Sequence, residues 1–378
     1  MIYLDNAATK MGNYKKFNIN SPYAQSAKET FEKARQTIAD VYKVPKEHIY
    51  FTSGGCEANS WALQRCGAIH IITTKIEHPS VLNCCHYLET HGVMVTYLNV
   101  NKNGLVSPYD LDEALSKSPL ATTLVSIMYV NNEIGSIQDL KALRKVIDKH
   151  NEYREKASTE TLLEFAEPIY FHSDCVQAAG QIPIPVECLD MMSVSGHKFG
   201  RDFGVGFLYS KVPLAPLIFG GSQERGIRGG TSNFLPVINM AQALSIRTSD
   251  GTYNTHIELM LGYLMGSLIK LGTETGIEYQ VNTPIETDDY HSSILSVSFK
   301  GLDAEKLMVF LSNHEIYVSS GSACETDHKE PSHVLKAIGV PEEYINGTIR
   351  FSLSEFIGTE QIDQTMEIIK LYLEASNG

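Results

Sequence analysis

Lys198 closes the run Met191-Met-Ser-Val-Ser-Gly-His-Lys198, where an apolar stretch ends in small residues and a histidine. An amine placed there, partly unprotonated, could condense with a carbonyl compound. Ser195 and His197 beside it could hold a phosphate. Upstream, Phe171-His-Ser-Asp174 ends in a carboxylate that could keep a heteroaromatic ring nitrogen protonated, and Gln177 could donate to an oxygen on the same ring. Ser53-Gly-Gly-Cys56-Glu-Ala-Asn59 has the composition of a tight turn opening a helix. The backbone N–H groups of Gly55 and Cys56 there would form an anion site. His78, in Glu77-His-Pro79, could stack on an aromatic ligand and move protons near neutral pH. Asn132 sits in Asn131-Asn-Glu133, which is equally the composition of an Asx turn. Singly, each of these is also what a solvated lysine, a turn aspartate or a structural histidine would give. Their order is more informative: an anion turn, a histidine, an asparagine, an aspartate and a lysine, each following its own apolar run.

Those runs are short. His48–Ser53, Ala68–Thr73, Val93–Val100, Thr122–Val130, Ile169–His172, Met191–Ser195 and Val205–Ser210 read as strands, with helices over Glu57–Cys66 and Leu140–His150. Alternation of this kind predicts an α/β fold with an open, mostly parallel sheet, which binds ligands at the carboxyl ends of its strands. After about Asn233 the pattern predicts a smaller α/β domain. It has a long helical stretch over Asn239–Leu271, strands at Ser293–Phe299, Tyr317–Ser319 and Thr348–Leu353, and helices at Ala304–Asn313, Ser332–Ile338 and Thr359–Glu374. Asn151–Glu167 reads as an exposed polar insertion, either a surface loop or an extra helix.

Composition narrows the function class. The chain has 378 residues, 43% hydrophobic and 20% charged, which suits two folded domains. A formal charge of -13 argues against general nucleic-acid binding. Neither a bilayer-length apolar run nor a secretion leader is evident, so the cytoplasm is the expected location. The seven cysteines show no paired zinc-ligand spacing and no disulfide framework; no metal is expected.

With these residues on the page, the chain resembles the cysteine desulfurases of the class V aminotransferase-like enzymes over nearly its whole length. The resemblance is carried by Tyr3-Leu-Asp-Asn-Ala-Ala-Thr9, Phe51-Thr-Ser-Gly54, Glu77-His-Pro79, Asn131-Asn-Glu-Ile-Gly135, Phe171-His-Ser-Asp174, Val176-Gln-Ala-Ala-Gly180, Ser195-Gly-His-Lys198, Gln223-Glu-Arg-Gly226, Gly230-Thr231, Arg350-Phe-Ser-Leu353 and above all Val318-Ser-Ser-Gly-Ser-Ala-Cys324 with Glu330-Pro-Ser-His333. The last pair is similar to the NifS and IscS type, in which a mobile loop bears the reactive cysteine.

The resemblance implies fold type I, the aspartate aminotransferase fold of the pyridoxal-phosphate transferases. Residues 13–238 would form the large cofactor-binding domain, and 1–12 with 239–378 the small one. It implies pyridoxal 5'-phosphate bound covalently at Lys198, Asp174 on the pyridine nitrogen, Gln177 on the ring hydroxyl and His78 on the ring face. Asn132 would contact the ring oxygen or the substrate. Gly55, Cys56, Ser195 and His197 would hold the phosphate, joined by Thr231 from a neighbouring subunit, hence a homodimer. Arg350 would clamp the substrate carboxylate. Sulfur from L-cysteine would pass to Cys324 as a persulfide, leaving L-alanine, and then to an acceptor protein for iron–sulfur clusters or for tRNA, DNA or cofactor thiolation. Alternative readings are a selenocysteine lyase or another class V lyase or aminotransferase, and a weakly catalytic sulfur-delivery scaffold. The sequence departs from the family pattern at Cys56, usually threonine, at Phe199–Phe203, and at Gly229, usually serine.

Overall fold

The computed structural model describes residues 22–161, 167–200, 202–249, 252–320 and 331–376. In chain order the elements are α1 (Pro22–Tyr42), β1 (Ile49–Thr52), α2 (Gly55–Arg65), β2 (His70–Thr74), α3 (Pro79–Glu89), β3 (Met94–Leu98), α4 (Pro108–Ser116), β4 (Thr123–Ser126), α5 (Leu140–Thr161), β5 (Ile169–Asp174), β6 (Met191–Ser195) and β7 (Gly206–Ser210). They are followed by α6 (Phe234–Ser249), α7 (Thr252–Thr275), β8 (Tyr279–Val281), β9 (Ile294–Phe299), α8 (Ala304–Ser312), α9 (His333–Ala337), α10 (Glu342–Ile345), β10 (Thr348–Ser352) and α11 (Thr359–Ser376).

Seven strands make one sheet in the order β1-β7-β6-β5-β4-β2-β3. β7 runs antiparallel to both neighbours, and the remaining pairs are parallel. Strands β4 and β6 are buried at every position, as expected where helices cover both faces of a parallel sheet. One face packs Ile38, Phe51, Phe171, Phe207 and Val237 into the main core. The other packs Trp61, Val81, Cys85 and Leu208 under α2 and α3. Polar side chains inside the sheet are paired: His172 lies between Ser126 Oγ and Ser193 Oγ, each at 2.9 Å. Burial pushes its pKa down to about 3, so it stays neutral.

A second sheet, β10-β9-β8, is antiparallel and carries its own core from Leu261 and Leu268 of α7, Val297, Leu307, Ile349 and Ile369. Two cores support a division into two domains. The 238/239 boundary read from the resemblance cuts α6, whose Met240, Ala241 and Leu244 belong to the main core. We therefore propose the division after α6. A small cluster of Ile76, Ile134, Val334, Leu335 and Ile338 joins the two units beside the strand ends.

Four sequence expectations change. Asn239–Leu271 is covered by two helices, α6 and α7, rather than one stretch. Asn151–Glu167 is no separate insertion as far as Thr161, because α5 continues through it. Arg154 holds that extension: its guanidinium donates to the carbonyls of Ala121, Glu167 and Pro119 at 2.7–2.9 Å. Tyr317–Ser319 forms only a single bridge, Ser319 with Arg350. Helices α1, α3 and α4 were not anticipated. No helix among the described residues is long and apolar enough to cross a membrane.

Candidate active site

The parallel strands deliver their carboxyl ends to one cavity of about 300 Å³. Gly55, Cys56, His78, Asn132, Asp174, Gln177, Ser195, His197, Lys198 and Arg350 all line it. Sequence positions as far apart as 55 and 350 thus meet in one place. Thr231 does not line this cavity and is exposed. Cys324 lies outside the described residues, as do Tyr3–Thr9.

Asp174 is buried at the end of β5. Its Oδ1 accepts from the Val176 N–H at 2.9 Å and its Oδ2 from Asn59 Nδ2 at 2.7 Å. Both donors are neutral amides. Burial pushes Asp174 above the ordinary aspartate value, against those two bonds and the nearby charges of His78 and Lys198. A buried carboxylate so arranged suits a cationic ring nitrogen.

Asn59 was missed by sequence reasoning. It is buried in the first turns of α2, and its Nδ2 also donates to Ser80 Oγ at 2.9 Å. Ser80 Oγ in turn lies 2.8 Å from His78 Nδ1. Asn59 therefore ties the ring-facing carboxylate and the candidate ring histidine into one frame. Asn59→Ala should destabilise the cofactor-free protein by about 1–3 kcal/mol, because it leaves buried Asp174 short of a donor. Urea denaturation measures this. A loss below about 0.5 kcal/mol would show that the frame contributes little to the fold.

His78 is the N-cap of α3, ahead of Pro79 at the first helical position. Its Nδ1 accepts from the Ser80 N–H at 3.1 Å. An Nδ1 that accepts a backbone N–H carries no hydrogen, so neutral His78 has its proton on Nε2. Burial holds its pKa below the ordinary imidazole value; Asp174 opposes the shift, while Lys198 and His333 add to it. Behind it, Glu77 is buried and accepts from the Met128 N–H and from Thr74 Oγ1. Burial pushes its pKa up to about 8.

The turn before α2 has the features of a phosphate cradle. Gly54 is the N-cap and no side chain caps the helix. A Cβ at Gly55 would lie 2.7 Å from Val176 Cγ2, so the backbone approaches the end of β5 as only glycine permits. Ser195 Oγ is 2.9 Å from His197 Nδ1, and the His197 ring stacks on Phe203 with centroids 5.8 Å apart. Phe203 belongs to the run that departs from the family pattern. The glycine at 229 has a steric reason: a Cβ there would sit 2.5 Å from Gly220 Cα. The neighbouring Arg228 forms a two-pronged ion pair with Glu57 at 2.7 and 2.9 Å, which fastens the segment leading to Thr231 onto the start of α2.

Arg350, on β10, reaches the cavity from the second sheet and donates from Nη1 to the Asn132 carbonyl at 2.7 Å. Its backbone pairs with Ser319 in both directions, at 2.6 and 3.3 Å. Two further lining residues, Glu133 and His333, were not singled out from the sequence. Glu133 accepts from Ser332 Oγ at 2.6 Å, and Ser332 caps α9, on which His333 is the first residue.

Comparison with known proteins agrees with this geometry. The family model described as "Aminotransferase class-V" matches residues 2–154 and 157–365. The cysteine desulfurase IscS of Methanosarcina thermophila is 35% identical over 393 residues, covering 97% of this chain and 91% of that protein. A solved NifS-like protein superposes with a TM-score of 0.82 at 33% identity, over 95% of this chain and 92% of its own. SspA, solved in complex with cysteine, gives 0.69 at 30% identity over 94% and 93%. Matched along almost its full length by the family model and by relatives of these identities, the chain belongs to the class-V aminotransferase family, within its cysteine desulfurase group.

Proposed function

We propose that the cavity binds pyridoxal 5'-phosphate through Lys198 and that the protein removes sulfur from L-cysteine, passing it to Cys324 as a persulfide. The observation that carries this reading is the meeting of Lys198, buried Asp174 and Arg350 in one cavity. The residues present fit the cofactor: an uncapped helix start for a phosphate, and a buried carboxylate held by neutral donors alone for a pyridine nitrogen. Pyridoxal phosphate, when bound, supplies an electron-withdrawing ring in conjugation with the substrate's α-carbon. The chain does the rest. Lys198 tethers the cofactor through its ε-nitrogen, and the amine that L-cysteine sets free is a base for the α-proton. Asp174 stays ionised opposite the ring nitrogen. His78 presents Nε2–H as a proton donor. Arg350 orients the substrate carboxylate. The Cys324 thiolate would attack the substrate sulfur; the Cβ–S bond breaks, its electron pair takes a proton at Cβ, the Lys198 amine returns the proton to Cα, and L-alanine leaves.

The exposed Thr231 supports a homodimer in which this residue serves the partner's phosphate site. The final acceptor is proposed only by class, a sulfur-acceptor protein of iron–sulfur assembly or of tRNA, DNA or cofactor thiolation. A cytoplasmic location fits that chemistry, which needs reduced thiols.

The test is chemical. Protein incubated with pyridoxal phosphate and reduced with borohydride should carry the cofactor mass on the Lys198 peptide. Labelling of a different lysine, or none, would reject the assignment.

A further inference from the structure

Two histidines line the cavity in the same Nε2–H tautomer but are anchored through opposite ring nitrogens. His78 Nδ1 accepts the Ser80 N–H, which leaves the proton on Nε2. His333 Nε2 lies 3.0 Å from the Glu77 carbonyl oxygen, which can only accept. His333 Nε2 must therefore carry the hydrogen, and its Nδ1 keeps the lone pair. That Nδ1 has no hydrogen-bond partner among the described residues. The ring is rigidly mounted. It stands on the first residue of α9, whose cap Ser332 is clamped by buried Glu133 at 2.6 Å, while Val334 and Leu335 are buried beneath it. One short segment, Glu77-His-Pro-Ser80, thus fixes both tautomers.

We infer that His333 is a further catalytic residue, whose Nδ1 takes the ammonium proton from incoming L-cysteine. The inference rests on the reading of the cavity as a desulfurase site. The α-amino group of a free amino acid is largely protonated near neutral pH. It must lose that proton before its nitrogen can bond to carbon. In the step, the substrate N–H bond breaks and its electron pair stays on nitrogen. An N–H bond forms at Nδ1, and the resulting imidazolium later gives its proton to water. The other lining groups are committed otherwise: His78 offers a hydrogen, Arg350 is a cation, and Asp174 is held by two amides. An ammonium shares a carbon with the carboxylate that Arg350 would bind, so it falls on the side of the cavity that α9 and β10 supply. The charged or titratable groups around His333 are Glu77 and His78 after β2, Glu133 after β4, Lys198 after β6, Arg350 of β10, and Lys336 on its own helix.

His333→Gln separates the two ring nitrogens. Glutamine can still donate to the Glu77 carbonyl, but it offers no base. In the pyridoxal-phosphate-loaded protein, kcat/KM for L-cysteine should fall about 100-fold, the lower range for a lost general base. The acid limb of its pH profile should lose the imidazole contribution, while cofactor absorbance and melting temperature stay unchanged. Nitrogen-15 NMR of the histidine-labelled full chain should find the neutral His333 ring with its hydrogen on Nε2 and none on Nδ1, which tests the geometry even if the variant folds poorly. An unchanged rate and pH profile in the variant, or a hydrogen on Nδ1 of the neutral ring, would overturn the inference. Failure of the wild-type protein itself to form persulfide would instead reject the desulfurase reading.

Discussion

Replacing Asp174 with asparagine should cut turnover of L-cysteine by about 10²–10³-fold, the range for losing one preorganised electrostatic partner, and should loosen the cofactor. The side chain is 5% exposed and its donors are amides, so no other anion stands ready to take its place opposite a ring nitrogen. The same variant should behave oppositely without cofactor. Asp174 has a folded-state pKa raised chiefly by burial. The native state then binds more protons than the unfolded one between the ordinary aspartate value, about 3.9, and the raised value. Wild-type stability from this group is complete at the acid end and is lost as pH rises through that window. Asparagine has no such loss. The melting temperature of cofactor-free Asp174→Asn, relative to wild type, should therefore increase from pH 4 to pH 7. Asn59 can accommodate the amide by turning its Oδ1, which has no partner among the described residues, toward position 174. Thermal denaturation at the two pH values decides the matter; a relative stability that falls with pH would mean that Asp174 is held ionised by the apoprotein itself.

The strand-end residues were legible because the sheet is buried on both faces. Buried strands of β-branched and apolar residues stand out, and two of them, Phe171-His-Ser-Asp174 and Met191–Ser195, end in a polar residue that lines the cavity. The helices that begin with proline were not legible. Pro79 and Pro108 each follow a capping side chain, His78 and Ser107, and proline there starts a helix as readily as it ends one. The length of α5 was hidden for another reason. Its second half is polar, and what extends it is Arg154 bonding to carbonyls 13 to 35 residues away. The supporting residues of the site escaped for the same physical cause. Asn59 acquires its role from partners 21 and 115 residues distant, and His333 from one 256 residues distant. No local pattern encodes such contacts. Motif resemblance reached most of the residues that would touch cofactor and substrate, and stopped short of Asn59, which holds them in place, and of His333.

Replacing Cys324 with alanine should leave cofactor absorbance intact and lower sulfur release from L-cysteine by at least about a thousandfold, as expected when the nucleophile of a concerted site is removed. The described residues on either side of this cysteine support the proposal that its thiol, rather than another, is the acceptor. Ser319 is paired through its backbone with Arg350, which lines the cavity. On the other side, Ser332 is bonded to Glu133 and His333 to the Glu77 carbonyl, both at the cavity. Five residues of fully extended chain, the separation of positions 319 and 324, span at most about 17 Å. The other thiols are worse placed. Cys66, Cys84, Cys85, Cys175 and Cys188 are buried, and burial raises the pKa of each, to about 11 for Cys66. A thiol kept protonated and packed is a poor nucleophile. Cys56 is exposed and lines the cavity, but at the helix start where a phosphate would sit, away from the substrate end marked by Arg350. Mass spectrometry after addition of L-cysteine should accordingly find one extra sulfur on the Cys324 peptide of the wild type and none on the variant. Sulfur appearing on the Cys56 peptide, or normal sulfide release by Cys324→Ala, would transfer the acceptor role to the wrong end of the cavity and undo the assignment.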